Sequence, residues 1–188
     1  MAGFVLTLGE IEEGRFDRIR TAFNVLKALP ESYTFSHTNF RLVKYRRELD
    51  MEDANYYESD DVIVCAIGNL LYRDFGFFDS VTEIGKALED GYTIENMIGD
   101  IDGTFCLIFL NKKIGKCFVI TDIGGVINTY FRKIGKAWCI STSMLALAKV
   151  APVTRDTESI LMFLRSGMFF DDNTYFHEIT VLRPASIY

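Results

Sequence analysis

The chain has 188 residues, of which 49% are hydrophobic and 24% charged, so it can bury a sizeable core and does not belong to the disordered class. Its 20 Lys and Arg residues against 26 Asp and Glu residues give a net charge of −6. This balance argues against nucleic-acid and anionic-membrane partners, which need clustered cations. The composition also excludes collagen-like, coiled-coil and disulfide-scaffold proteins.

The first half of the chain predicts a strand, a helix and further strands. Residues 4–8 form a short apolar run that is typical of a strand. Apolar side chains at three- and four-residue spacing predict an amphipathic helix over residues 15–29, which ends at Pro30. The further assignments are strand for 32–45, loop for 46–61, a buried strand over 61–72 with a turn at Gly68 and Asn69, and helices over 80–89 and 93–97.

The second half of the chain has a more regular pattern. Four apolar runs, at 103–110, 116–121, 128–132 and 137–142, are separated by turn signals and predict an antiparallel meander. Two helices follow over 143–150 and 156–165, the second with Asp156 at its N-cap and Gly167 just past its end. Strands at both ends of the chain, with helices between and after them, indicate an α+β layered fold.

The ends and the cysteines favour a cytoplasmic protein. The N-terminus lacks the basic region and long apolar run of a signal peptide, and no stretch approaches the length of a membrane span. The cysteines have no CxxC pair and no nearby His, so we interpret them as buried free thiols in a reducing compartment and expect no metal site. They are Cys65, Cys106, Cys117 and Cys139.

The region of the predicted meander carries motifs whose order and spacing point to one family. They are Asp102-Gly103-Thr104-Phe105, an apolar strand, Asn111 with a turn, a second strand ending in Thr121-Asp122, Gly125, Tyr130-Phe131, the run 141–147, the helix 160–167, Tyr175-Phe176 and the run 179–184. Through them residues 98–184 resemble the N-terminal domain of asparagine synthetases. The resemblance is weaker before residue 98.

The resemblance implies a fold and an activity. The family's domain is a class II (type 2) glutamine amidotransferase with the N-terminal-nucleophile (Ntn) hydrolase fold, a four-layer αββα sandwich of two antiparallel sheets between helices. A cysteine that becomes residue one attacks the glutamine amide and releases ammonia, and its free amine serves as the base. Residues 1–188 are thus expected to form one amidotransferase-like domain. An ATP-dependent synthetase domain is expected downstream or as a separate chain.

The resemblance places the nucleophile and the oxyanion donor at positions where this chain has other residues. Ala2 occupies the position of the catalytic cysteine, followed by the family-like Gly3. The family's Asn-Gly pair, which supplies an oxyanion donor, corresponds to Ile67 and Gly68. Asn69 lies close by, but two positions away and on the wrong pleat of the predicted strand. No intact catalytic residue is therefore predicted.

The glutamine-binding groups that the resemblance implies are altered in the same way. The family uses an Asp to hold the α-amino group of glutamine, and Val81 stands at that position in Ser80-Val81-Thr82-Glu83. Arg41 is a candidate for the Arg that clamps the glutamine carboxylate, although a solvated strand Arg is the favoured interpretation. Gly3, Arg41, Ile67, Gly68, Asn69 and Val81 would line a vestigial glutamine pocket.

Three hypotheses follow. The leading one is a catalytically silent amidotransferase-like domain of an ATP-dependent, amide-forming ligase, as in β-lactam synthetase, where the domain remains as a scaffold. It expects no cofactor in this chain, ATP and Mg²⁺ in the synthetase domain, that domain or subunit as partner, and a possible homodimer. The second is a genuine glutaminase domain whose N-terminal Cys has been replaced by Ala. The third is a stand-alone binding or assembly module.

Overall fold

A computed structural model describes residues 3–24, 29–37, 39–46 and 55–188. The chain forms two compact units. The first unit consists of Met1–Leu49 and Asn128–Leu182, and the second consists of Asp50–Ile127 and Arg183–Tyr188. Within the described ranges, no helix is long and apolar enough to cross a membrane.

Strands and helices alternate along the chain. In chain order they are β1 (Gly3–Leu8), α1 (Glu13–Phe23), β2 (Glu31–His37), β3 (Phe40–Tyr45), β4 (Tyr56–Glu58), β5 (Val62–Tyr72), α2 (Phe77–Glu89), α3 (Ile94–Met97), a 3₁₀ turn (Ile98–Asp100), β6 (Ile101–Asn111), β7 (Lys116–Thr121), β8 (Tyr130–Ile134), β9 (Ala137–Ser141), α4 (Met144–Ala148), α5 (Thr157–Ser166) and β10 (Thr180–Val181).

The first unit is built on a six-stranded antiparallel sheet with the strand order β10-β8-β9-β1-β3-β2. The central strand β1 pairs with β3 on one side and β9 on the other. Its successive residues Phe4, Val5 and Leu6 are all buried, so both faces of the strand are covered. One face contributes to a core of Val5, Phe16, Ile19, Val43, Tyr45, Cys139, Ala146, Leu147, Val150 and Ile179.

The second unit is built on a four-stranded antiparallel sheet with the order β4-β5-β6-β7. Strands β5 and β6 pair along their full length, from Val62 opposite Asn111 to Tyr72 opposite Ile101. Ile63, Cys65 and Ile67, on the opposite face of β5 from the main core, are also buried. The main core consists of Val62, Val64, Ala66, Leu70, Tyr72, Val81, Ile84, Ile94, Met97, Ile101, Phe105, Leu107, Phe109 and Ile120.

Several sequence predictions are confirmed. The first strand, β7, the helical segments and the α+β class with two antiparallel sheets all occur in the structure. Helix α5 begins as predicted, because the Asp156 carboxylate accepts a hydrogen bond from the Ser159 N–H at 3.0 Å. It ends at Gly167, which adopts the left-handed conformation with φ 77°.

The prediction of a long first helix was wrong at its C-terminal end. Helix α1 ends at Phe23, and Asn24 is its C-cap. The Asn24 side-chain oxygen accepts a hydrogen bond from the Leu29 N–H at 3.1 Å, which offers the backbone an alternative to continued helix. Residues 25–28 of the predicted helix lie outside the described residues.

Four other predicted assignments also differ from the structure. The predicted turn at Gly68 and Asn69 is absent, because β5 continues through both residues to Tyr72. The predicted loop 46–61 contains the short strand β4, and residues 47–54 of that loop lie outside the described residues. Helix α2 begins at Phe77 rather than at residue 80; the prediction began too late because two consecutive Phe residues have only modest helix propensity. The predicted single strand 32–45 is the pair β2 and β3.

The predicted four-strand meander was wrong in its pairing. Strands β6 and β7 pair in the second unit, whereas β8 and β9 pair in the first. The connection between β7 and β8 covers residues 122–129, which is longer than the two to five residues of an ordinary hairpin. Even spacing of strands therefore did not indicate which strands are neighbours.

Candidate functional site

The residues of the predicted glutamine pocket are divided between the two units. Gly3 and Arg41 belong to the first unit, and the group of Ile67, Gly68 and Asn69 belongs to the second together with Val81. Ala2, at the predicted position of the nucleophile, lies outside the described residues. The structure shows the surroundings of each remaining residue within its own unit.

Gly3 begins β1 in a space that excludes any side chain. A Cβ atom on Gly3 would overlap the Phe23 ring and the Thr142 hydroxyl. The neighbouring Phe4 N–H donates a hydrogen bond to Thr142 Oγ1 at 3.1 Å. Tyr45, opposite Gly3 in the sheet, stacks on Phe23 with 4.1 Å between ring centroids. The start of β1 is thus fixed by an aromatic pair and a hydroxyl.

Two hydroxyl groups hold the start of β1, and the sequence analysis gave them no role. The fully buried Ser141 donates its hydroxyl hydrogen to the Phe4 carbonyl at 2.7 Å and accepts from the Ser143 N–H at 3.0 Å. Thr142, the next residue, makes the bond to Phe4 described above. The run Ser141-Thr142-Ser143 directly after an apolar strand was the available signal, because short hydroxyl residues at strand ends commonly bond to nearby backbone.

Arg41 lies at the other end of β1. It is opposite Thr7, whereas Gly3 is opposite Tyr45, and this separation of four residues corresponds to about 13 Å along the strand. The guanidinium lies 3.8 Å from the Glu13 carboxylate. It also lies 5.4 Å from the centroid of the Phe16 ring. Arg41 therefore contacts α1, and its assignment to a glutamine carboxylate stays a prediction.

In the second unit, Gly68 and Gly103 allow a close approach of two backbones. Gly68 has φ 97° and Gly103 has φ 114°, both in the region that favours glycine. A Cβ on Gly68 would overlap the Thr104 carbonyl, and one on Gly103 would overlap the Asn69 carbonyl. Asn69 and Thr104 are opposite each other, so the two glycines flank one pair in the β5–β6 ladder. We call Gly68 and Gly103 the glycine pair.

The side chains next to Gly68 have different surroundings. Ile67 is 1% exposed, whereas Asn69 is exposed to solvent. The Gly68 carbonyl accepts a hydrogen bond from Asn55 Nδ2 at 3.3 Å. Asn55 precedes β4 in the predicted loop, and no sequence signal singled it out. At the predicted oxyanion position the described structure therefore has a buried apolar side chain.

Val81 is 0% exposed and packs in the main core of the second unit. The residue before it, Ser80, accepts a hydrogen bond from the Tyr72 N–H at 3.0 Å and donates one to the Gly76 carbonyl at 2.9 Å, which ties α2 to the end of β5. Val81 shares its core with alternate residues of β5 such as Leu70, whereas Ile67 points to the opposite face of that strand. The fold thus places Ile67 and Val81 on different sides of the sheet.

Asp122 organises the loop that follows β7. It is 2% exposed, and its carboxylate accepts hydrogen bonds from the Phe105 N–H at 2.9 Å and the Val126 N–H at 3.2 Å. Its backbone carbonyl accepts from the Ala185 N–H at 2.9 Å. A buried carboxylate with these partners serves a structural role. An Asp at the end of an apolar strand before Gly124 and Gly125 was its sequence signal.

Cys117 and Cys139 are held in a form that is a poor nucleophile. Burial raises the pKa of the Cys117 thiol to about 12 and that of the Cys139 thiol to about 11. Because the thiolate is the reactive form, both groups remain protonated and unreactive near neutral pH. Cys65, Cys106 and Cys139 are buried, as predicted, whereas Cys117 is partly exposed. Among residues 3–24, 29–37, 39–46 and 55–188, no three His, Cys, Asp or Glu side chains form a metal-binding group.

Of the comparisons with known proteins, the one with solved structures bears on the fold. No protein-family model matches the sequence, and no curated protein sequence matches it. The structure is similar to that of a glutamine phosphoribosylpyrophosphate amidotransferase from B. subtilis, solved with ADP and GMP. The TM-score is 0.51 at 9% sequence identity, over 79% of this chain and 43% of that chain. A structure described as the allosteric regulatory enzyme of purine biosynthesis matches with a TM-score of 0.49 at 10% identity, over 80% of this chain and 43% of that chain.

The first of these matches shows that the chain has a glutamine amidotransferase-like fold. The observed α+β architecture, with two antiparallel sheets and helices, is consistent with the predicted Ntn-hydrolase-like sandwich fold. The chain spans less than half the length of the solved structures it resembles.

Proposed function

We propose that this chain is a non-catalytic, amidotransferase-like domain that supports an ATP-dependent, amide-forming synthetase of the asparagine synthetase type. The observation that carries the proposal is the burial of two apolar side chains, Ile67 and Val81, at the positions that the family resemblance assigns to polar groups. The surroundings of each residue explain why the glutaminase reaction would fail here.

Glutamine capture needs a group that pairs with an ammonium ion. Val81 offers only methyl groups. Because its side chain is 0% exposed, no water molecule can pair with the ammonium in its place. An ammonium brought against this core would lose its hydration without gaining a partner, which is strongly unfavourable. The amino end of a glutamine molecule therefore has no binding group at this position.

Amide cleavage needs a nucleophile and an oxyanion donor. Ala2 has a methyl group where the family has a thiol. Ile67, buried in the sheet, has no N–H on its side chain to stabilise an oxyanion. Cys117 and Cys139 cannot replace the missing thiol, because burial raises the pKa of each well above neutral pH.

The remaining role is structural. The proposal assigns ATP and Mg²⁺ to the synthetase domain or subunit, which would be this chain's partner, and it places the protein in the cytoplasm. The chain itself would supply a folded surface and no ammonia. This division of roles between a structural domain and a separate synthetase is supported by the match to less than half of a longer amidotransferase chain.

Ammonia release from glutamine tests the proposal. The purified 188-residue chain is incubated with millimolar glutamine, and ammonia is followed by a coupled assay beside an active class II amidotransferase. The proposal expects ammonia at the buffer background. Release well above background, lost when the chain is heat-denatured, would contradict it.

A further inference from the structure

Residues Arg183–Tyr188 lie along β7 as an additional strand of the second unit, and we call them the edge segment. The Val119 N–H donates to the Tyr188 carbonyl and the Tyr188 N–H donates to the Val119 carbonyl, both at 2.9 Å. The Thr121 N–H donates to the Ser186 carbonyl at 3.1 Å. The outer side of β7 is therefore covered by backbone pairing and does not form a sheet edge there.

Two hydroxyl groups hold the ends of the edge segment. Thr121 Oγ1 donates a hydrogen bond to the Arg183 carbonyl at 2.6 Å and accepts one from the Ser186 N–H at 3.1 Å. Within the segment, the Arg183 N–H donates to the Tyr188 hydroxyl at 2.7 Å. Because this last bond links the two ends of the segment, we expect the segment to attach and detach as one unit.

Little apolar burial supports these hydrogen bonds. Five of the six side chains of the edge segment are exposed, among them Ile187 at 42% and Tyr188 at 43%. The main core of the second unit, as far as the structure describes it, contains none of the six. Ala185 also has φ 50°, a left-handed conformation that disfavours any residue with a Cβ atom. Since ordering six residues costs conformational entropy that largely offsets the hydrogen bonds, the attached form is only slightly favoured.

We infer that the edge segment is a detachable strand, which opens as one unit while the rest of the second sheet stays folded. The sheet is kept in the open form, because β5 and β6 pair along their full length and β6 pairs with all six residues of β7. Opening removes the partners of the Val119 and Thr121 N–H groups, so β7 changes from a covered strand to an open sheet edge. The left-handed conformation of Ala185 sets the balance between the two forms.

Amide hydrogen exchange of the 188-residue chain, followed by NMR at single residues, tests the inference. In an antiparallel sheet the N–H groups of successive residues point to opposite neighbours. The amides of Phe118 and Ile120 therefore face β6, whereas those of Val119 and Thr121 face the edge segment. After correction for intrinsic rates, Val119 and Thr121 should share one protection factor and exchange at least about tenfold faster than Phe118 and Ile120.

Two substitutions should move the balance in opposite directions. Ala185→Gly relieves the left-handed strain, so exchange at Val119 and Thr121 should slow about threefold. Thr121→Val removes the hydroxyl that bonds to the edge segment, so exchange at Val119 should quicken about tenfold. Thr34→Val, the same change at an exposed position of β2 in the first unit, is the matched control and should leave these rates unchanged. Circular dichroism on every variant confirms that the fold is kept.

Three results would overturn the inference. They are exchange at Val119 and Thr121 as slow as at Phe118 and Ile120, a protected Thr121 amide beside a rapidly exchanging Val119 amide, and rates that Ala185→Gly or Thr121→Val leaves unchanged. The second result would mean that the edge segment frays from one end and does not open as one unit. The third would mean that neither the backbone strain nor the hydroxyl controls the opening.

Discussion

The glycine pair and the two buried apolar residues of the second unit, Ile67 and Val81, differ in how strictly their positions require one residue type. Gly68 and Gly103 have positive φ angles and face a neighbouring backbone, so only glycine fits at either place. Ile67 and Val81 make ordinary apolar contacts that several other side chains could replace. The close backbone approach of β5 and β6 is therefore present, with apolar side chains at the two positions where the family resemblance would place polar groups.

The comparison separates the requirements of the fold from those of the reaction. The backbone at Gly68 depends on sterics and on the full pairing of β5 with β6. A glutaminase site depends in addition on an amine partner, an oxyanion donor and a nucleophile. A chain can meet the first set of requirements without meeting the second.

The largest effect is expected for Gly68→Ala. The new Cβ would overlap the Thr104 carbonyl, which is backbone and cannot rotate away, and the residue would have φ near 97°. We expect the free energy of unfolding to fall by about 4 kcal/mol or more, or the chain to fail to fold. Urea denaturation followed by circular dichroism measures this change.

Gly115→Ala is the control for this prediction. Gly115 has a similar left-handed φ of 63°, but its Cβ would meet open space. The free energy of unfolding should fall by about 1 kcal/mol, because only the left-handed backbone conformation disfavours alanine there. Equal effects at Gly68 and Gly115 would show that the close approach of β5 and β6 is not what demands glycine.

A smaller loss is expected for Val81→Asp. The variant would place a carboxylate in a fully buried apolar core without a partner, and we expect about 3 kcal/mol of destabilisation at pH 7. Burial would raise the pKa of that carboxyl above its unfolded value, so the loss should shrink as the pH falls toward 4. Chemical denaturation at both pH values checks this direction.

Val81→Thr keeps the shape of valine but replaces one γ-methyl group with a hydroxyl, so it should cost about 1–2 kcal/mol at either pH. If Val81→Asp were as stable as the unchanged chain at pH 7, a polar partner would exist near this position. The glutamine-binding interpretation would then regain support.

The smallest effect concerns the thiols. Because burial raises the pKa of Cys139 to about 11 and of Cys117 to about 12, the folded state holds these protons more tightly than the unfolded state. Stability from this source is complete below the usual thiol pKa near 9 and is lost as the pH rises through the folded values. Iodoacetamide at pH 8 should react slowly with the native chain and quickly in urea. Fast native labelling of Cys139 would contradict its burial.

Local patterns predicted much of the fold. The caps of α5 at Asp156 and Gly167 and the extent of β7 are set by a few neighbouring residues, and such signals can be recognised in a sequence. The strand pairing was missed because the partners of β7 and β8 depend on long-range packing. The turn expected at Gly68 was wrong because a glycine required by a close backbone approach resembles a turn glycine.

The candidate site was predicted less completely. The family resemblance, together with the residue types at Ala2, Ile67 and Val81, predicts a site unsuited to glutamine hydrolysis, and this stays a prediction. The roles of Ser141, Thr142 and Asp122 depend on contacts between residues far apart in the sequence, up to 138 positions for the bond from Phe4 to Thr142. No local pattern indicates which backbone groups these side chains meet.

Ammonia release by an Ala2→Cys variant tests the central claim most directly. This substitution supplies the nucleophile that the family uses and leaves Ile67 and Val81 unchanged, and mass spectrometry would confirm that Met1 has been removed. If the site lacks its other polar groups, the variant should release ammonia from glutamine no faster than the unchanged chain. Turnover well above background would contradict the account and would identify the domain as a glutaminase that lacks only its cysteine.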